Sequence, residues 1–150
     1  MKRFLLNILK PFSFLPALLM MYVIYSFSAQ TGEVSGNLSY KVSYKIVEIG
    51  NDVLEAGLSP ERISHYAHRI EHPVRKLAHM TEYFLLAIAV SFPFYVYGLR
   101  GFPLMIVAGL ICVGFAAGDE YHQSFVAGRA PSKKDVIIDS IGVLFGILIV

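Results

Sequence analysis

The sequence predicts an all-α membrane protein, with four transmembrane helices in an antiparallel bundle and short amphipathic helices in the first loop. Three observations predict it. Of 150 residues, 55% are hydrophobic and only 16% are charged, whereas soluble globular chains carry about 25% charged residues. A single domain of this length cannot hide that much apolar surface within itself, so lipid is the expected solvent. The apolar residues fall into long uncharged runs, and the charges gather where the runs end.

Composition also excludes several classes. Disorder, collagen, coiled coil and a disulfide scaffold do not fit it. The single cysteine, Cys112, sits in the middle of an apolar run and reads as a small packing residue. A net charge of +2 with a pI near 8.7 is too weak to point to nucleic acid.

The first span covers 11–32, from Pro11 to Gly32, 22 residues without a charge. At about 1.5 Å per residue such a helix crosses a hydrocarbon core of about 30 Å. Lys2, Arg3 and Lys10 precede it, as in a signal peptide, but the apolar part is too long and no small-residue cleavage site follows, so an uncleaved anchor is expected. Residues 33–72 form an amphipathic loop within a single domain of 1–150. Within it Val34, Leu38, Val42, Ile46, Ile49 and Val53 recur at helical spacing, and Gly57 is a natural stop. Ser59-Pro60-Glu61 reads as the N-cap and first turn of a second short helix. Both segments are expected on the membrane surface or as a lid on the bundle.

The second and third spans, 77–99 and 101–118, are separated by the turn Gly98-Leu99-Arg100-Gly101. The fourth covers 133–150. Pro131 and the capping-box pattern Ser132-Lys133-Lys134-Asp135 place its start near Lys133. Three basic residues in the N-terminal ten, and Arg100 in the tight turn, put the N- and C-termini in the cytoplasm under the positive-inside rule. Arg129, Lys133 and Lys134 argue the other way.

Four antiparallel spans bring the end of the first, the start of the second, the end of the third and the start of the fourth to one side, where the unusual residues lie. They are Ser26, Ser28 and Gln30; Arg75, Lys76, His79 and Glu82; Asp119, Glu120, His122 and Gln123; and Arg129, Lys133, Lys134, Asp135 and Asp139. On the second helix, Arg75 or Lys76 shares one face with His79 and Glu82 at steps of three and four, as Asp135 and Asp139 do on the fourth. An unpaired charge at membrane depth costs about 2.5–3.5 kcal/mol on insertion scales, so charges there pair, face the bundle interior or mark a functional path. Glu82 and Asp139 lie deepest.

The candidate ligand-binding residues are therefore Arg75, Lys76, His79, Glu82, Asp119, Glu120, Gln123, Arg129, Asp135 and Asp139. If the protein is catalytic, the candidates are His79, Glu82, Asp119 and Asp139. A structural salt-bridge lattice is the competing account of the same residues. Lys133 and Lys134 read as headgroup anchors. Gly114-x-x-x-Gly118 and Gly142-x-x-x-Gly146 read as packing faces through which the chain can also form a homo-oligomer. His65, His68 and His72, with Arg62 and Arg69, read as a solvated or headgroup-facing surface.

The order Phe27-Ser28-x-Gln30, Lys76-x-x-His79-x-x-Glu82-Tyr83, then Asp119-Glu120-x-x-Gln123-x-Phe125-Val126-x-Gly128-Arg129-x-x-Ser132-x-x-Asp135-Val136-x-x-Asp139-x-x-Gly142 resembles the VanZ-like family of bacterial membrane proteins. The resemblance covers nearly the whole chain. It departs from the family at Ala127, where a proline is common. The long first loop offers no transferable residue. The resemblance implies a small polytopic protein of the bacterial cell membrane. The family's namesake is associated with resistance to teicoplanin-type lipoglycopeptide antibiotics, and no agreed chemical mechanism comes with the family.

Three functions compete. The first is a non-enzymatic envelope protein whose outward charged pocket binds a membrane lipid, a lipid-linked cell-wall precursor or a lipoglycopeptide through Arg75, Lys76 and Arg129. The second is a hydrolase or transferase acting on lipid headgroups. Metal assistance would draw on His79, Glu82, Asp119, Glu120 and His122, with Asp139 as general base, although HExxH, P-loop and nucleophile-elbow motifs are missing. The third is an ion-coupled carrier relaying through His79, Glu82 and Asp139. The first reading leads, and with it no metal, cofactor or nucleic-acid partner is expected.

Overall fold

The computed structural model describes residues 10–130 and 132–150; Lys2, Arg3 and Pro131, used above for sidedness and capping, lie outside them. A 3-10 turn at Lys10–Phe14 leads into α1 (Leu15–Ser28), followed by α2 (Gly32–Val53), α3 (Pro60–Val96), α4 (Gly101–Gln123) and α5 (Lys133–Ile149). The described residues contain no strand.

The first run is shorter as a helix than its uncharged length predicts. α1 stops at Ser28, because Thr31 N-caps α2 by accepting a hydrogen bond from the Val34 N–H. Lys10–Ser28, α3 and α4 are each long and apolar enough to cross a membrane. α5 has 17 residues. At about 1.5 Å per residue it is about 25 Å long, shorter than the core.

The expected boundary between a short helix ending near 72 and a span starting at 77 is absent. α3 runs unbroken for 37 residues through Pro73, about 55 Å. Proline removes one backbone hydrogen bond from a helix interior. Here the Glu71–Arg75 ion pair, 2.7 Å, straddles it, and α2 packs alongside.

α2 and the first half of α3 form a hairpin. Its turn is closed by the Asn51 side chain, which accepts the Leu58 N–H at 2.8 Å, with Gly57 at φ +63°. The periodicity predicts α2 correctly, but its apolar stripe does not face the protein. Val34, Leu38, Val42, Ile46, Ile49 and Val53 are all exposed. The contact with α3 runs instead through Gly36, Ser39, Tyr40 and buried Ser43, with Tyr40 hydroxyl on Ser64 at 2.9 Å and its ring stacked on His68.

The second half of α3 packs with α4, α5 and α1. Tyr83, Leu86, Ala87 and Val90 meet Ala108, Cys112, Ala116, Val143, Ile147 and Ile24 in one core, so Cys112 is the packing residue expected. α5 approaches α3 closely enough that a Cβ on Gly142 or Gly146 would collide with the Met80 or Phe84 carbonyl. That face is used inside the chain. Gly114 and Gly118 meet open space.

At the end opposite the polar cluster, Lys10 lies over the Tyr97 ring and Phe14 packs on Phe94 and Tyr97. Arg100 is in the same turn region and donates to the Tyr95 and Leu99 carbonyls.

Candidate functional site

Four helices converge at the other end. The start of α2, the middle of α3, the end of α4 with the loop after it, and the start of α5 line a cavity of about 150 Å³. Eight of the ten sequence-derived candidates line it: Arg75, Lys76, His79, Glu120, Gln123, Arg129, Asp135 and Asp139. Glu82 and Asp119 stand behind the wall. Glu82 faces His79 at 3.8 Å. Asp119 is buried, its Oδ2 accepting from Gln123 Nε2 at 3.3 Å and from the Tyr83 hydroxyl at 3.5 Å. Lys133 and Lys134 are exposed at the start of α5 and do not line the cavity.

Gly32, Ser35, His72 and Gly128 also line it. The sequence reading placed His72 on a solvated face and gave Gly32 no role. The Gly32 N–H donates to the Ala127 carbonyl at 3.0 Å. A Cβ on Gly32 would overlap the Gly128 carbonyl, and Gly128 itself sits at φ +75°. Two glycines therefore let the loop after α4 press onto the start of α2, forming one wall. Only Gly128 carried a signal, through the Gly-Arg step.

Each cation has a different job. Lys76 pairs with Asp135 at 3.0 Å, tying α3 to α5. Arg75 donates through Nη2 to Glu71 at 2.7 Å and through Nε to Ser39 at 3.1 Å, tying α3 to α2. Arg129 donates through Nε to the Gln30 carbonyl at 3.0 Å and through Nη2 to the Phe27 carbonyl at 3.1 Å. It thus satisfies backbone acceptors at the C-terminus of α1, a favourable place for a positive charge. Neither guanidinium has a partner for Nη1 among the described residues. Burial lowers the pKa of Arg129, and the like charge of Arg75 lowers it further, against the pull of Asp119, Glu120 and Glu82.

The predicted capping box does not form. Ser132 makes no side-chain cap; its N–H donates instead to Glu120 Oε1, and Asp135 is drawn to Lys76. The tertiary partners outcompete the local ones because each is a charge-assisted bond across two helices. Three buried polar atoms near the cluster, Asp119 Oδ1, Asp139 Oδ1 and His122 Nδ1, have no hydrogen-bond partner among the described residues. Among the described residues no three His, Cys, Asp or Glu side chains converge to hold a metal ion.

The family model described as VanZ/LLP1 matches residues 13–150, and the chain belongs to that family. No curated protein and no solved structure gives a match. With the three long apolar helices, the membership makes this a VanZ-like membrane protein.

Proposed function

Starting from that membership, we propose that the protein is a multi-pass protein of the bacterial cell membrane whose charged cavity binds the headgroup of a lipid or a lipid-linked anion. In this reading α5 makes the fourth crossing, both termini are cytoplasmic, and the cavity opens outward at headgroup level. Lys10 and Arg100 at the opposite end support that orientation. The observation that carries the binding reading is the pair of guanidiniums. Arg75 and Arg129 line one cavity, each already fixed by two bonds and neither with a partner for Nη1 among the described residues. Two like charges held beside a shared space form a site for phosphate or carboxylate. A role in teicoplanin-type resistance follows if the bound group is a cell-wall precursor or a lipoglycopeptide.

Native mass spectrometry of the purified chain, exchanged into phosphatidylglycerol or diacylglycerol of the same acyl chains, tests this. Wild type retains the phosphatidylglycerol, and Arg75→Gln or Arg129→Gln lowers retention about tenfold, the loss of one charge-assisted contact. Equal retention of both lipids by wild type sinks the proposal.

A further inference from the structure

The charges around the cavity are unevenly matched. Lys76 and Asp135 neutralise each other, Arg75 is paired with Glu71, and Glu120 holds the Ser132 N–H. Asp139 has no such arrangement. It lies one turn beyond Asp135 on the same face of α5. Its residue is 5% exposed, it lines the cavity, and its Oδ1 has no hydrogen-bond partner. Asp119, 7% exposed, stands behind the wall with one oxygen equally unpartnered. The cavity is therefore lined both by two guanidinium groups whose Nη1 atoms have no partner among the described residues and by an Asp139 carboxyl whose Oδ1 has no donor among them.

A purely anionic ligand would satisfy the arginines and leave Asp139 without a donor. A ligand carrying its own N–H donors satisfies both. The volume sets a further limit, since about 150 Å³ takes a group of roughly benzene size. That suits a compact headgroup. Resting on the anion-binding reading above, we propose that the ligand is zwitterionic, with a protonated primary amine received by Asp139 a few bonds from an anionic group received by Arg75 and Arg129. Phosphoethanolamine, free or as a lipid headgroup, has this chemistry. A quaternary amine does not, because it has no N–H to donate to the Asp139 carboxylate.

The test compares the purified full chain exchanged into phosphatidylethanolamine, phosphatidylcholine or phosphatidylglycerol, with retained lipid counted by native mass spectrometry. Wild type retains phosphatidylethanolamine about tenfold better than either of the others, the scale of one charged hydrogen bond. Asp139→Asn abolishes the preference, bringing phosphatidylethanolamine down to the phosphatidylglycerol level. Soluble phosphoethanolamine as competitor separates the sources: displacement shows that the free zwitterion suffices, and no displacement assigns the ligand to the lipid. Phosphatidylglycerol retained as well as phosphatidylethanolamine by wild type overturns the zwitterion and leaves the anion reading standing. Unchanged lipid preference in Asp139→Asn also overturns it. If that variant does not fold, the wild-type ranking of the three lipids decides alone.

Discussion

The two halves of α3 are parts of one helix held in place by different physics. From Tyr83 to Pro93 it buries seven residues against its neighbours, and in the first half only Ile63 and Ala67 are buried. In the bundle half, glycines on α5 let backbones touch, and small side chains fill the gap. In the hairpin half, Gly36, Ser39 and Ser43 of α2 form the contact while the apolar stripe of α2 stays exposed. Between helices in lipid there is no hydrophobic driving force, so close packing decides the neighbours in the bundle half. By contrast α2, which is not among the helices apolar enough to span, is tied to α3 by polar bonds. The comparison teaches that an apolar face reports which residues avoid water, and says nothing of which helix they touch.

The largest effect is expected where the bundle half is tightest. Gly142→Ala drives a Cβ into the Met80 carbonyl and should cost about 3 kcal/mol, at the upper end for overpacking. Gly114→Ala, which meets open space, should be neutral or stabilising by up to about 1 kcal/mol through helix propensity. Thermal unfolding in one detergent compares the two, and equal shifts would mean that close approach does not position α5.

Next comes the hairpin. Ile63→Ala truncates the larger of the two buried side chains in the first half of α3 and should cost about 2 kcal/mol. Because the hairpin shares little core with the bundle, the loss should be local. Amide exchange should quicken across α2 and stay unchanged from Tyr83 to Val96; quickening in both would show that the halves fold as one unit. The smallest effect is Tyr40→Phe, which deletes the hydrogen bond to Ser64 and should cost about 1 kcal/mol. Exchange in α2 again reads it, and no change would leave the ring stacking on His68 as the holding contact.

Much of this was legible along the chain. Uncharged runs, the Gly98–Gly101 turn, the cap at Ser59 and the start at Lys133 all follow from local rules, because hydropathy, turn chemistry and capping act within a few residues. The cluster of polar residues at one end was legible too, since an antiparallel order of helices forces those helix ends together. Eight of its ten residues line one cavity. Local rules failed where a distant partner was stronger. The break expected between 72 and 77 is bridged by Glu71, Arg75 and α2, and Ser132 reads as the start of a capping box until Glu120 takes its N–H.

What the sequence determined by itself is the membrane class, the helical content, the family resemblance and the identity of the charged cluster, all carried by composition and spacing. Only the tertiary structure decided which glycines meet a neighbour, which side of α2 is covered, and which charges are already paired. Those depend on helix approach and side-chain direction over many residues of separation. The difference between Asp135 and Asp139 shows why. One turn apart on the same face, they look equivalent in the sequence, yet Asp135 has Lys76 at 3.0 Å while an oxygen of Asp139 has no partner. Depth in the bundle, fixed by Gly142 against Met80, makes that difference.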